Sequence, residues 1–225
     1  GGEAGSAVAV AAPSGFVTKL YDDYAHKFDD HLVTKLQYRT PELVADALAA
    51  VAPARGFSRV ADLGCGTGLA AASLLAPARR LLSEDASLSG VDLSPNMVAK
   101  AREKQLYNGE LVVGPLDALL EGRAEGCWDL VVCCDVFPYV GDLRPVFVAT
   151  LRALSPGGCF AFSAELPPPQ TGAGPPRGGM GYALAPTGRF WHEASYLRGL
   201  AEAVGFELVS LTARALRRNA GKDVP

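Results

Sequence analysis

In Asp62-Leu-Gly64-Cys65-Gly66-Thr67-Gly68 an acid precedes three alternating glycines, a pattern able to receive a ligand. Glycines at this spacing allow a tight turn, let the backbone approach a ligand, and expose amides at the N-terminus of the next helix. Asp92 ends the apolar run from Leu88 to Val91, where a carboxylate can accept both hydroxyl hydrogens of an adenosine ribose. Asp117, in Gly114-Pro-Leu116-Asp117-Ala118, can accept from an adenine amino group while Leu116 offers a backbone amide. Each feature has a plainer reading: a structural turn, a helix-capping aspartate and a surface-loop aspartate. Ser94 already supplies the cap beside Asp92, and the purely structural reading of the turn loses weight as its companions accumulate.

His192 is the candidate general base, because its unperturbed pKa lies near neutrality. A lone histidine also reads as structural, and His26 and His31 are weaker candidates still. The five cysteines, at 65, 127, 133, 134 and 159, lack paired metal-ligand spacing and read as reduced and buried, so no metal is expected. Cys65 reads by default as a small residue packed beneath the turn.

Positioning these residues requires strands that end in turns. Residues 15–52 carry helical periodicity, with a Thr40-Pro41-Glu42 start to the second half. Arg59–Leu63 then predicts a buried strand running into the glycines, and Leu69–Leu75 resumes a helix. Leu88–Val91 is the second strand, followed by Ser94 as N-cap, Pro95 at the first helical position, and a helix to about Gln105. Leu111–Val113, Trp128–Cys134 and Gly158–Ala164 predict three more strands, apolar enough to be covered on both faces. Phe190–Val204 reads as a helix and Phe206–Leu216 as a sixth strand. Strands alternating with helices give an α/β, doubly wound, mostly parallel sheet with an N-terminal helical cap.

The expected organisation is a flexible segment over 1–15 and one domain over 16–225. Within it lie the cap (16–55), a cofactor-binding core (56–165), a Pro/Gly-rich loop (166–189) and a C-terminal helix and strand (190–225). The loop is longer than the ~12–15 residues usual for unstructured connections, which marks it as either a functional lid or local disorder. With 24 acidic residues against 21 basic, a net charge of -3 offers no positive field for phosphate backbones, so nucleic acid is disfavoured as a partner. No apolar run reaches the roughly 18 residues of a membrane span, and the expected setting is intracellular, cytoplasmic or organellar.

Val60-Ala-Asp-Leu-Gly-Cys-Gly-Thr-Gly-Leu69, Gly90-Val-Asp-Leu-Ser-Pro-Asn-Met97, Asp117 and Leu154-Ser-Pro-Gly-Gly158 together resemble the ordered motifs of class I S-adenosylmethionine-dependent methyltransferases. The flanks, Tyr21–Leu32, Leu36–Pro41, Asp135–Leu143 and Gly188–His192, resemble the methyltransferase domains found with tetratricopeptide repeats. The resemblance implies a Rossmann-like fold, S-adenosyl-L-methionine as cofactor and methyl transfer. It assigns Gly64, Gly66 and Gly68 to the methionine and ribose, Asp62 to the methionine amine, Asp92 to the ribose, and Leu116 and Asp117 to the adenine. Cys65, Leu93 and Met97 join that set, Asp135 and Val136 would face the sulfonium with Asp135 also a catalytic candidate, and Tyr21, Tyr24, Tyr38 and Arg39 would cap the pocket.

Asp135-Val-Phe-Pro-Tyr139 departs from the Asn-Pro-Pro-Tyr turn that grips amino groups on bases or glutamine, so a small molecule leads as acceptor, with protein side chains behind. The family pattern closes with an antiparallel last strand, and the sequence ends at Lys222-Asp-Val-Pro225, apparently before it. A protein partner or fused repeats could cover that edge. A non-catalytic structural module is the alternative. A nicotinamide-dependent oxidoreductase is disfavoured, because Leu69 and the acid ahead of the glycines break its fingerprint.

Overall fold

The structure, a computed structural model, describes residues 11–121, 123–167, 179–219 and 222–224. Helices α1 (Ser14–Tyr24) and α2 (Thr40–Ala49) precede the first strand, joined by short helical turns at Ala25–Lys27 and Asp30–Lys35. Pro41 sits in the first turn of α2, where its missing amide hydrogen leaves nothing unsatisfied. The core follows as β1 (Phe57–Leu63), α3 (Leu69–Leu74), β2 (Leu82–Asp92), α4 (Pro95–Glu103), β3 (Leu111–Val113), β4 (Trp128–Cys133), α5 (Arg144–Ala153) and β5 (Leu154–Phe162).

These five strands form one sheet in the order β3-β2-β1-β4-β5, with every pairing parallel. Strand order reverses between β1 and β4, so the connections leaving their carboxyl ends diverge and open a crevice between them. Both faces of the sheet are covered. In β4, Leu130 and Val132 join a core with Ala45, Leu48, Ala71 and Leu74 from α2 and α3. Val131 and Cys133 point the other way, into a core with Phe147 of α5 and Leu197 and Leu200 further along. Phe137, Phe147, Phe160, Phe162 and Phe206 pack ring on ring in that second layer.

After β5 the chain forms an antiparallel pair, β6 (Tyr182–Leu184) with β7 (Phe190–His192), then α6 (Ala194–Val204) and a short hairpin of β8 (Arg217–Asn219) with β9 (Lys222–Val224). Several boundaries differ from the sequence reading. β2 begins at Leu82 rather than Leu88, and β5 at Leu154 rather than Gly158, each through a shift of register along its neighbour. Phe190–His192 is a strand rather than the start of a helix, because all three side chains are buried against one another's surroundings and pair with β6. Phe206–Leu216 forms no ladder among the described residues, and Val209 is exposed there, so the apolar alternation of that stretch does not mark a sixth strand. The expected loop over 166–189 contains β6, while residues 168–178 lie outside the described residues. No described helix is long and apolar enough to cross a membrane.

Candidate active site

The glycine turn is fixed by the backbone around it. The amides of Gly64 and Cys65 both donate to Val91 O, at 2.8 and 2.9 Å, which ties the end of β1 to the end of β2. Gly64 has φ +72°, and a Cβ there would lie 2.2 Å from Val136 Cγ2, so both conformation and space demand glycine. Gly66, at φ +53°, is different: an added Cβ would meet only Phe28, at 3.8 Å. That position is an open cradle in which a ligand can lie against backbone. Cys65 packs beneath the turn against Gly90, where an added Cβ would stand 3.0 Å from the cysteine Cβ.

Asp92 closes the turn from the neighbouring strand. Its Oδ2 accepts from Gly66 N and its Oδ1 from Ser94 N, both at 2.9 Å. Each oxygen keeps a lone pair, so the carboxylate can take two hydroxyl donors on its other side. Burial raises its pKa, while the two amides oppose that shift by favouring the charged form. Ser94 Oγ accepts from Met97 N at 3.1 Å, the helix cap expected from the sequence.

Asp62 lies fully buried beneath the turn. Tyr107 donates to its Oδ2 at 2.7 Å, and its Oδ1 has no hydrogen-bond partner among the described residues. Burial pushes its pKa up to about 7, with the Tyr107 hydrogen bond working against the shift. An orphaned carboxylate oxygen in this position is costly unless a cation or donor approaches it.

One cavity of about 510 Å³ runs from the glycine turn to the N-terminal cap. Its walls include Gly64, Cys65, Gly66, Asp92, Leu93, Met97 and Leu116 from the core, and Tyr21, Tyr24, Phe28 and Tyr38 from the cap. The cap is fastened by its acids: Asp22 accepts from Ser94 Oγ and from Asn96 N, and Asp29 accepts from Thr67 Oγ1 and pairs with Lys104. Thr67 belongs to the glycine turn and Ser94 caps α4, so the cap is anchored both at the turn and at the start of α4. Burial raises the phenol pKa values of Tyr21 and Tyr38 well above the usual range, so both stay neutral hydrogen-bonding groups.

Asp135 follows β4 and enters the same cavity. Its backbone adopts φ +59°, a left-handed conformation that a non-glycine residue holds only when its surroundings impose it. Ser163 Oγ accepts from Asp135 N at 2.8 Å, and Arg217 donates to Asp135 Oδ2 at 2.9 Å. Burial raises the Asp135 pKa, while Arg217 and Arg189 pull it back down. Arg189 in turn donates to Glu165 Oε1 and to the Tyr139 hydroxyl, each at 2.8 Å, and stacks its guanidinium on the Tyr139 ring.

Most of the residues singled out from sequence meet in this cavity: Gly64, Cys65, Gly66, Asp92, Leu93, Met97, Leu116, Asp135, Val136, Tyr21, Tyr24 and Tyr38 all line it. Asp62, Gly68, Asp117 and Arg39 do not. Gly68 caps α3 in a left-handed conformation, Asp117 lies on the short helical turn Leu116–Leu119, and the Arg39 amide donates to Leu216 O. His192 lies outside the cavity altogether. It is buried, stacks on Tyr196, and bonds Gly141 O through Nε2 at 3.0 Å, and burial lowers its pKa. Its place in the antiparallel pair, rather than on a helix, turns it into the core.

Sequence reasoning missed Phe28, Tyr107, Tyr139, Arg189 and Arg217. Tyr139 and Arg189 stand inside quoted motifs and could have been found there. Arg217 carries no local signal, since only the tertiary fold brings it to Asp135.

Residues 61–160 match the family model described as a methyltransferase domain. Over 147 residues the chain is 40% identical to human methyltransferase-like protein 27, covering 65% of this chain and 56% of that protein. Over 119 residues it is 33% identical to the malonyl-[acyl-carrier protein] O-methyltransferase of Enterobacter lignolyticus, covering 53% and 43%. The chain thus spans about half the length, or less, of these relatives. Among solved structures, an S-adenosylmethionine-dependent methyltransferase from Mesorhizobium loti is 25% identical with TM-score 0.54, covering 76% of this chain and 84% of that one. The [4+2]-cyclase SpnF, 21% identical with TM-score 0.66 over 91% and 76%, shares the fold. Residues 61–160 thus match a methyltransferase domain, and the parallel sheet around them has the class I fold that it shares with an S-adenosylmethionine-dependent methyltransferase.

Proposed function

We propose that this chain moves a methyl group from S-adenosylmethionine to a small molecule held under the N-terminal cap. The observation that carries this reading is the shared cavity: the glycine turn and Asp92 line the same space as Asp135 and the cap tyrosines. A cofactor on the turn and an acceptor under the cap would therefore be adjacent.

When bound, the cofactor supplies a methyl on a sulfonium, an electrophile whose leaving group needs no activation. Gly64, Gly66 and Gly68 shape the backbone that receives its amino-acid and ribose portions, with Asp92 accepting from the ribose hydroxyls. Asp62 lies beneath the turn, off the cavity wall, and its unpartnered Oδ1 would meet the amine from there. Leu93, Met97 and Leu116 would supply apolar surface to the adenine, with the Leu116 amide at its edge and Asp117 next to it in the chain but off the cavity wall. Val136 and Asp135, on the cavity wall, would lie beside the reacting group, while Arg39 is exposed and off that wall.

The chain's own contribution is to position the acceptor and exclude water. Tyr21, Tyr24, Tyr38 and Phe28 form an aromatic roof, and the Asp22 and Asp29 anchors hold it down. Asp135 is placed to accept the proton of a hydroxyl or amine, since its raised pKa makes it a better base than an exposed aspartate. A small molecule is favoured over a protein side chain because the cap covers the cavity with large apolar groups and leaves the acceptor little polar surface to display.

Incubation with methyl-labelled S-adenosylmethionine and a mixed panel of small alcohols, phenols, amines and carboxylic acids tests this reading. Label is expected in the small-molecule fraction, depending on Asp92. Label found only in added protein would overturn the acceptor class, and cofactor binding with no transfer to either would overturn the enzyme reading.

A further inference from the structure

Two arginines line a cavity whose other walls are largely apolar or aromatic, and holding the cofactor requires neither of them. Arg189 stands just before β7 and Arg217 opens β8, both outside the stretch that matches the family model. Burying a guanidinium is costly unless it is paired, and its planar fork is suited to a carboxylate.

The pairing is one-sided. Glu165, which does not line the cavity, holds both arginines through the same oxygen: Arg189 Nε and Nη2 lie 2.8 and 2.7 Å from Oε1, and Arg217 Nη2 also donates to it. Arg217 spends its other terminal nitrogen on Asp135, and Arg189 spends Nη1 on Tyr139. The two guanidiniums carry about ten N–H hydrogens between them. The bonds described here use roughly half. Tyr21 and Tyr139 share one hydrogen bond, at 2.9 Å, which consumes one of their two hydroxyl hydrogens and leaves the other. This part of the wall therefore has donors to spare.

A donor-rich patch among apolar walls is complementary to a group that only accepts. We propose that Arg189 and Arg217 form a carboxylate-recognition site, and that the methyl acceptor is an apolar molecule carrying a carboxylate. This rests on the methyltransferase reading, which defines what the acceptor is. Leu20, Leu36, Phe28 and Tyr38 take the hydrocarbon part, while Glu165 holds the two forks at fixed orientation. A neutral amide of the same shape brings N–H groups against N–H groups and is rejected.

The test is an NMR titration of the whole chain, saturated with S-adenosylhomocysteine, with hexanoate and separately with hexanamide. Hexanoate is expected to bind at least about tenfold more tightly. Arg189→Met and Arg217→Met should each remove most of that preference and leave hexanamide unchanged, with S-adenosylhomocysteine binding as the check on folding. Glu165→Gln, which frees both guanidiniums of their shared carboxylate, should tighten hexanoate binding severalfold, whereas a purely structural Glu165 would weaken both probes. Equal binding of the two probes by a chain that binds S-adenosylhomocysteine overturns the carboxylate site alone. Failure of the chain to bind S-adenosylhomocysteine overturns this proposal together with the reading beneath it.

Discussion

Asp92 Oδ2 accepts the amide hydrogen of Gly66 at 2.9 Å, so the carboxylate at the end of β2 holds the open glycine of the turn that leaves β1. This bond joins two features that are 26 residues apart in sequence. Asp92→Asn puts an NH2 in place of one accepting oxygen, so either the Gly66 or the Ser94 amide loses its partner. The unfolding free energy should fall by about 1–3 kcal/mol, measured by urea denaturation, because a partly buried donor is left unsatisfied.

Asp62 sets a pH dependence. Its folded pKa of about 7 lies above the ordinary aspartate value near 4. Between those values the folded chain keeps a proton that the unfolded chain has lost, so this group's contribution to stability declines as pH rises through that window. Binding of a cationic amine runs the other way, since it needs the ionised form. Affinity for S-adenosylmethionine should rise from pH 6 to about 7.5, and Asp62→Asn should flatten the rise. An unchanged slope in the variant would remove Asp62 from amine binding.

His192 is a structural residue in this account. His192→Phe leaves Gly141 O without its partner and should cost about 1–3 kcal/mol of stability, while cofactor affinity stays within about twofold. Because burial lowers its pKa, the folded chain resists protonating it, and stability should fall as pH drops through the ordinary histidine value near 6.5. A variant as stable as wild type but catalytically dead would return His192 to the site.

The cap anchors make a prediction about motion. Asp22→Ala and Asp29→Ala remove the acceptors that tie the cap to Ser94 and to Thr67. Amide hydrogen exchange over 14–35 should accelerate in both variants, with the β1 and β4 amides unchanged. Uniform acceleration across the chain would mean that these acids hold the whole fold rather than the cap.

Much of the sheet was legible because its signals are local. The glycines, Ser94-Pro95 and the apolar runs of β1, β3 and β4 each specify their own conformation, and the five strands fall where those runs lie. Residues 190–216 were misread for a physical reason. Phe190, Trp191 and His192 suit a helix or a strand equally by type, and only their pairing with Tyr182–Leu184 decides between them. In the site, Asp92 and the turn were legible as a motif, and the tyrosines as cap residues. The Asp135, Glu165, Arg189 and Arg217 network was not, since it joins residues 82 positions apart and depends on charge pairing that no periodicity records.

Calorimetric titration of the chain with S-adenosylmethionine, set beside Asp92→Ala and beside NADH, tests the central claim most directly. Micromolar binding of S-adenosylmethionine by the wild type is expected, with at least about tenfold weaker binding by the variant and none of NADH. A folded wild-type chain that binds NADH instead, or binds neither ligand, would contradict it.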